Sequence, residues 1–127
     1  MALKKILLVD DSATTLMMEQ MVLRGHPYEI VTAKNGREAV SAASNEAPDL
    51  ILLDVVMPEM NGFEACRQIR QQDGTRHVPI IMVTTKGEEH HVETGFESGC
   101  NDYITKPING AELLTKVRGY LECGGGE

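Results

Sequence analysis

The sequence predicts an α/β fold in which a doubly wound parallel β-sheet has helices on both faces. Five short apolar runs alternate along the chain with segments of helical periodicity, which indicates a (βα)5 order. The runs are too uniformly apolar to have a solvent-facing side, as is typical of parallel strands that are covered on both faces. At 127 residues the chain also has the length of one domain with its own core.

The composition indicates a globular domain and argues against several classes of protein. Hydrophobic residues make up 42% of the chain, and the formal net charge of −7 argues against direct nucleic-acid binding. Three cysteines without C-x-x-C spacing argue against a disulfide framework and a zinc site; they are Cys66, Cys100 and Cys123. No apolar stretch approaches the ~20 residues that span a bilayer. We therefore expect a cytoplasmic domain that does not enter a membrane.

Each predicted strand is brief and is followed by a predicted helix. The predicted strands are Lys4–Val9, Glu29–Ala33, Leu50–Asp54, Ile80–Thr85 and Asp102–Lys106. The predicted helices are Ala13–Arg24 with Ser12 as its cap, Arg37–Asn45, a segment after Gly62, Glu88–Glu97, and a last helix capped by Asn109. The fourth helix has only Val92 and Phe96 as strong apolar anchors, so we expect it to be the least stable.

Several side chains of these helices have a simple structural interpretation. The first helix carries three methionines that we interpret as packing residues, Met17, Met18 and Met21. Glu112 and Lys116 have the spacing of an ion pair on the last helix. The adjacent His90 and His91 point about 100° apart on a helix, which argues against a shared metal and favours a solvent-facing position.

Polar residues stand where four of the predicted strands end. They are Asp10 and Asp11 after the first strand, Asp54 at the third, Thr84 at the fourth and Lys106 at the fifth. A parallel sheet brings the carboxyl ends of its strands to one edge, where ligands bind in folds of this type. We therefore expect these five residues to form one site.

Three carboxylates in one site require a counterion. Close pairs of such charges repel by roughly 4 kcal/mol at an effective dielectric near 20, which one lysine does not offset. A divalent cation does, and an all-oxygen site with open water positions suits Mg²⁺. The residue types predict phosphoryl transfer to a partly exposed Asp54, with Lys106 neutralising charge and the Thr84 hydroxyl donating a hydrogen bond.

Four motifs together resemble the receiver domain of bacterial two-component response regulators. They are Val9-Asp10-Asp11-Ser12, Asp54 through Gly62 (DVVMPEMNG), Val83-Thr84-Thr85 and Tyr103 through Pro107 (YITKP). The resemblance covers essentially the whole chain, and the spacing between the motifs fits as well as the motifs do. It implies a flavodoxin-like sheet of strand order 2-1-3-4-5. It also implies a receiver domain over residues 1–123, followed by a flexible tail or the start of a linker over 124–127.

The resemblance assigns a role to each site residue. Asp54 is expected to accept a phosphoryl group from a phosphohistidine on a sensor histidine kinase or a phosphotransfer protein. Asp11, Asp54 and the backbone carbonyl of Val56 are expected to ligate Mg²⁺, with Asp10 reaching the ion through water. Lys106 is expected to precede a cis peptide bond to Pro107.

The resemblance also implies a switch and an output. Phosphorylation is expected to draw the Thr84 hydroxyl towards the phosphoryl group and to turn the Tyr103 ring inward. The readout face is then the fourth helix, fifth strand and fifth helix, where a downstream protein or effector domain binds. We expect a monomer or a phosphorylation-promoted dimer, with no catalysis beyond the chain's own phosphorylation and autodephosphorylation. Val56 and Lys86 occupy the positions that tune the phosphoryl lifetime in this family.

Two other classes of function are weighed against this one. A constitutive interaction domain would keep the fold without being phosphorylated, but such pseudo-receivers usually lack one of the residues that are intact here. An aspartyl-phosphate phosphatase needs a second aspartate two residues beyond the nucleophile, and that position holds Val56. The sequence therefore favours the phosphorylated signalling switch.

Overall fold

Strands and helices alternate along the whole described part of the chain. The computed structural model describes residues 3–85 and 90–123, except the side chains of His90, His91 and Cys123. The strands are β1 (Lys4–Val9), β2 (Tyr28–Ala33), β3 (Leu50–Asp54), β4 (Ile80–Thr85) and β5 (Asp102–Lys106). The helices are α1 (Ala13–Leu23), α2 (Gly36–Glu46), α3 (Gly62–Gln71), α4 (His90–Ser98) and α5 (Gly110–Arg118), with a 3-10 turn at Asp73–Thr75 and a π-helical turn at Gly119–Cys123. The predictions for Lys86 and for residues 124–127 lie outside the described residues.

The five strands form one parallel sheet of order β2-β1-β3-β4-β5, so the predicted architecture is confirmed. The chain reverses its direction of winding between β1 and β3, which lie side by side with Val9 opposite Leu53. The residues that follow each of these positions, Asp10 and Asp54, therefore emerge together at the carboxyl edge. Such a switch point is where sheets of this kind bind ligands.

The core lies on both faces of the sheet, and every residue of β3 is buried. On one face, strand residues such as Leu7 and Ile51 pack with Ala39 of α2 and with Ala65 and Ile69 of α3. On the other face, strand residues such as Leu8 and Leu52 pack with Leu16 of α1 and with Leu113 and Val117 of α5. Burial on both sides explains why the strand sequences are uninterrupted apolar runs instead of alternating ones.

Four helices begin at a polar cap that accepts a hydrogen bond from the backbone three residues later. The caps are Ser12, Asn35, Asn61 and Asn109, at 3.2, 2.8, 3.0 and 2.9 Å. Each such cap stabilises its helix by about 1 kcal/mol. The caps predicted at Ser12 and Asn109 are confirmed.

The predicted packing role of the α1 methionines is wrong. Met17, Met18 and Met21 are 60%, 43% and 59% exposed. The inner face of α1 is formed instead by Leu16, Glu19 and Leu23. Because α1 carries apolar residues almost all round, its sequence did not define which side faces the core.

The prediction that Phe96 is an apolar anchor of α4 is also wrong, because Phe96 is 47% exposed. The helix buries its small residues, Gly95 and Ser98. A Cβ atom at Gly95 would lie 3.3 Å from the Sγ atom of Cys100 and 3.4 Å from Met82, so α4 approaches β4 closely at this point. On α5, Lys116 does not pair with Glu112 as predicted; its Nζ atom binds Asp102 Oδ1 at 2.8 Å.

Arg70, near the end of α3, joins three segments through its guanidinium group. Its Nε atom donates to the carbonyl of Gly99 just after α4, and its Nη2 atom donates to Asn101 Oδ1 before β5. Its Nη1 atom donates to the carbonyls of three residues that lead into β4, Thr75, Arg76 and Val78. Arg70 therefore fixes the C-terminal end of α4 to α3.

None of the helices in residues 3–85 and 90–123 combines the length and the apolar character that a bilayer-spanning helix requires.

Candidate functional site

The three predicted acidic residues lie together at the carboxyl edge of the sheet. One carboxylate oxygen from each of Asp10, Asp11 and Asp54 lies within 4.8 Å of the others. Asp10 and Asp54 are buried, at 0% and 4% exposure, whereas Asp11 is exposed at the mouth of the site. The expectation that Asp54 is partly exposed is therefore wrong.

Lys106 reaches this cluster from the end of β5. Its Nζ atom lies 3.2 Å from Asp10 Oδ2 and 3.3 Å from Asp54 Oδ1. The peptide bond from Lys106 to Pro107 is cis. The sheet thus brings together four of the predicted residues from three different strands.

The orientation of Asp10 is set by the backbone of its own turn. Its Oδ1 atom accepts a hydrogen bond from the Ser12 amide at 2.9 Å, and its amide donates to the carbonyl of Ala33 at 3.1 Å. This arrangement directs Oδ2 into the cluster. Oδ2 faces the Lys106 ammonium in an ion pair and has no well-aligned hydrogen bond.

Burial and charge alter the acid–base behaviour of the site. Burial, and after it the charge of Asp10, raise the pKa of Asp54 to about 6 against the opposing effect of Lys106. Burial lowers the pKa of Lys106, but the charges of Asp54 and Asp10 outweigh that effect and leave the pKa above its usual value. At neutral pH Asp54 is therefore mostly ionised and Lys106 carries its proton.

The residues fit a hard divalent cation. The site offers three carboxylates on one edge, and the buried Asp10 Oδ2 lacks a hydrogen-bond donor. An all-oxygen donor set that is open to solvent at Asp11 suits Mg²⁺ rather than a softer metal. The shared ammonium of Lys106 gives the two buried carboxylates only one positive charge between them, so their negative charge is not balanced within the cluster.

The loop that follows Asp54 is held close to the site by Gly62. The Gly62 amide donates to the carbonyl of Val55 at 2.8 Å, and a Cβ atom at Gly62 would stand 2.3 Å from the carbonyl oxygen of Asp54. Only glycine allows α3 to begin in contact with this backbone. The side chain of Val56, in the same loop, is 60% exposed.

Thr84 and Tyr103 lie on neighbouring strands near the site. Thr84 is 2% exposed and pairs with Thr105 in the sheet, while Tyr103 pairs with Met82. The ring of Tyr103 is 36% exposed and meets Phe96 of α4 edge-on, with 6.3 Å between ring centroids. The Nζ atom of Lys116 on α5 lies 5.9 Å from the Tyr103 ring centroid. Tyr103 thus contacts both helices of the predicted readout face from an outward position.

One buried charged residue, Glu19, was not among the predicted site residues. Its carboxyl group is buried on the inner face of α1, at 1% exposure. Burial raises the pKa of Glu19 to about 8, with the charges of Asp10 and Asp54 adding to the rise and Lys106 opposing it. The spacing could have indicated this burial, because Glu19 follows Leu16 by three residues and precedes Leu23 by four, which places all three on one face of the helix.

The fold and the acid–lysine cluster are those of an α/β receiver domain. The family model described as the response regulator receiver domain matches residues 6–118. The chain therefore belongs to the response regulator receiver family of two-component systems.

Curated relatives fall into two groups by length. The chain is 39% identical over 117 residues to the protein PilH of Pseudomonas aeruginosa, and the match covers 92% of this chain and 97% of PilH. It is 42% identical over 118 residues to the alkaline phosphatase synthesis transcriptional regulatory protein PhoP of Bacillus subtilis, which covers 93% of this chain and 48% of PhoP. The chain thus spans nearly all of one relative and about half of the other.

Solved structures agree with this assignment. The chemotaxis protein CheY4 of Vibrio cholerae is 36% identical, with a TM-score of 0.88 over 94% of this chain and all (100%) of that one. The receiver domain of a sensor histidine kinase from Pseudomonas aeruginosa PAO1 is 34% identical, with a TM-score of 0.86 over 94% of this chain and 98% of that one. That structure contains a magnesium ion coordinated in its active-site cleft.

Proposed function

We propose that the protein is a phosphorylation-dependent switch in which Asp54 accepts a phosphoryl group from a sensor histidine kinase or a phosphotransfer protein. The observation that carries this proposal is the cluster of Asp10, Asp11 and Asp54 within 4.8 Å, with Lys106 in contact with two of them. Membership of the receiver family supports it. The constitutive interaction domain remains the alternative that the experiment below excludes or favours.

In the proposed reaction an oxygen of Asp54 attacks the phosphorus atom of a phosphohistidine. The new oxygen–phosphorus bond forms as the nitrogen–phosphorus bond breaks, and the bond's electron pair stays with the imidazole, which takes up a proton from solvent. No general base is needed, because the carboxylate is already ionised at neutral pH. Lys106, now 3.3 Å from Asp54 Oδ1, is close enough to neutralise charge on the phosphoryl oxygens.

The residues that would hold Mg²⁺ are Asp10, Asp11, Asp54 and the backbone carbonyl of Val56, with Asp10 acting through water. The bound ion would supply electrostatic stabilisation of the charge that develops on the transferring group. The carboxylate of Asp10 is already oriented for such a role by the Ser12 amide.

The switch would couple the site to the face of α4, β5 and α5 through Thr84 and Tyr103. Thr84 is buried at the end of β4, one residue beyond Val83, which lies opposite Asp54 in the sheet. Tyr103 has its ring on the outer face, where an inward turn would change its contacts with both Phe96 and Lys116. A downstream protein or an effector domain would read this change, with the chain acting as a monomer or as a phosphorylation-promoted dimer.

The proposed domain comprises residues 1–123, with 124–127 as a tail or the start of a linker, and it acts in the cytoplasm. Its catalysis is limited to its own phosphorylation and autodephosphorylation. Val56, which is 60% exposed beside the site, and Lys86 would influence how long the phosphoryl group resists water.

The test is the intact mass of the full chain after incubation with a small acyl phosphate, with Mg²⁺ and with a chelator. We expect a Mg²⁺-dependent gain of a single phosphoryl group that is absent in Asp54→Asn. Asp73→Asn is the matched control, because the Asp73 side chain is 94% exposed and pairs only with its near neighbour Arg76 among the described residues. Labelling that persists in Asp54→Asn would overturn the acceptor assignment, and no labelling of the wild type would favour the constitutive interaction domain.

A further inference from the structure

A carboxyl group is buried on the inner face of α1, where apolar side chains are the rule. Glu19 lies between Leu16 and Leu23 on the inner face of the helix and is 1% exposed. Its Oε1 atom is buried without a hydrogen-bond partner. Because an unsatisfied buried carboxyl group is costly, a leucine at this position would serve the core better. A function outside the core therefore has to account for it.

Glu19 and the acidic site lie on the same side of the sheet. The side chains of Asp54 and Lys106 face α1, because Leu52 and Ile104, two residues before them on β3 and β5, pack on the α1 side of the sheet. The charges of the site therefore act on Glu19: burial raises its pKa most, Asp10 and Asp54 add to the rise, and Lys106 opposes it. With a pKa of about 8, Glu19 carries a proton at neutral pH and still offers a carbonyl oxygen as an acceptor. Glu19 is not one of the three clustered acids, so it is not counted among the candidate ligands of a cation.

Lys106 and a divalent cation compete for the same oxygens. The Lys106 ammonium lies 3.2 Å from Asp10 Oδ2 and 3.3 Å from Asp54 Oδ1. A cation held by Asp54 directly and by Asp10 through water would displace the ammonium from both carboxylates, and the ammonium has three N–H donors to satisfy. The Lys106 side chain is largely enclosed, at 27% exposure, so its N–H groups need hydrogen-bond acceptors within the protein.

We propose that Glu19 is a positioning residue for Lys106, whose ammonium turns to the buried Glu19 carboxyl group when a cation is held by Asp54 directly and by Asp10 through water. This inference rests on the proposed function, because it assumes that Asp54 works with Mg²⁺. Lys106 then stays in the pocket. Its contact with Glu19 offsets part of the free energy that is lost when its contacts with Asp10 and Asp54 break, so the cation binds more tightly.

The first test is the Kd of Mg²⁺ for the full chain, measured by titration calorimetry at neutral pH. Glu19→Leu removes the acceptor, so Lys106 should keep its carboxylates and Mg²⁺ binding should weaken about fivefold or more. Glu19→Gln keeps an acceptor oxygen in a side chain of the same shape and should stay within about twofold of the wild type. Gln20→Leu, an exposed neighbour on the same helix, is the control for the added leucine.

A second test separates an effect through Lys106 from a direct effect on the cation. In a Lys106→Ala background, Glu19→Leu should leave the Mg²⁺ affinity unchanged, because the ammonium that Glu19 positions is gone. In the wild-type background, the ¹⁵N signal of the Lys106 ammonium should remain protected from exchange when Mg²⁺ is added, and Glu19→Leu should remove that protection.

An unchanged Kd in Glu19→Leu would overturn the proposal, as would an equal loss in the Lys106→Ala background. Glu19→Met repeats the measurement with a second apolar side chain if Glu19→Leu does not fold. Failure of the proposed function is recognised separately, because the wild type would then show neither Mg²⁺ binding nor Mg²⁺-dependent phosphorylation.

Discussion

Lys106 and Asp54 come from strands that are not neighbours in the sheet, yet the Lys106 Nζ atom lies 3.3 Å from Asp54 Oδ1. Strand β4 lies between the strands of this pair. Lys106 also contacts Asp10, which follows β1, and β1 lies beyond β3 as seen from β5. A single ammonium therefore joins the carboxyl ends of strands across the middle of the sheet.

Lys106→Met tests how far this contact stabilises the fold without metal. The substitution leaves Asp10 and Asp54 buried beside each other without their counterion, so we expect the free energy of unfolding to fall by roughly 1–3 kcal/mol at neutral pH. Urea unfolding in the presence of a chelator measures it. Addition of Mg²⁺ should restore much of the loss, because the ion replaces the missing charge. A loss that Mg²⁺ leaves untouched would indicate that the side chain acts through packing instead.

Asp54→Asn should make the protein more stable at neutral pH. The folded state raises the pKa of Asp54 from its usual value of 3.8 to about 6, so between these values the folded state binds more protons than the unfolded one. Stability due to Asp54 is therefore fully present below about pH 4 and is lost as the pH rises through about 6. Asn has no such dependence.

The measurement is the difference in free energy of unfolding between Asp54→Asn and the wild type, at several pH values without metal. The difference should favour the variant by at least ~1 kcal/mol at pH 7 and should shrink towards pH 4. Taking the difference removes most of the contribution of Glu19, whose pKa is also raised and of whose causes Asp54 is the smallest. A difference that does not vary over this range would contradict the raised pKa.

Gly62→Ala should damage the site through the backbone. The added Cβ atom would stand 2.3 Å from the Asp54 carbonyl oxygen and 3.0 Å from Val55 Cα, so the loop or the start of α3 must move. We expect a loss of about 1–3 kcal/mol of stability together with slower phosphorylation of Asp54. Gly74→Ala is the control, since nothing lies within 4 Å of its Cβ position. Equal behaviour of the two variants in unfolding and in labelling would refute the close approach.

Arg70→Ala should destabilise the protein by about 2–4 kcal/mol, because the guanidinium satisfies backbone carbonyls that include the partly buried ones of Val78 and Gly99. Arg70→Lys should recover little of this, because an ammonium cannot reach acceptors on several segments at once. Arg67→Ala, on the same helix, removes only an exposed pair with Glu64 and should change stability by less than about 0.5 kcal/mol. Chemical unfolding of the three variants checks these expectations, and a small effect of Arg70→Ala would contradict them.

The fold and most of the site were predictable because strands leave a strong signal. An apolar run that ends in an acid, as at Leu50–Asp54, indicates both the strand and the edge where its last side chain lies. The parallel order then brings Asp10, Asp54 and Lys106 together even though many residues separate them in the chain.

The helical faces were less predictable, because their sequences are ambiguous. α1 has apolar residues on nearly every side, so neither the exposure of Met17 and Met21 nor the burial of Glu19 followed from periodicity. The direction of Phe96 depended on the small residue Gly95, which allows α4 to lie close against β4. Such choices are made by packing between elements, which a single sequence does not display.

The guanidinium of Arg70 would also shape the proposed response of α4 to phosphorylation. Because the carbonyl of Gly99 is tied to α3 at 2.9 Å, the C-terminal end of α4 acts as a fixed pivot. A rotation about that pivot displaces each residue in proportion to its distance from Gly99. A small adjustment near Tyr103 would thus be amplified along the helix, and its first turn would travel furthest.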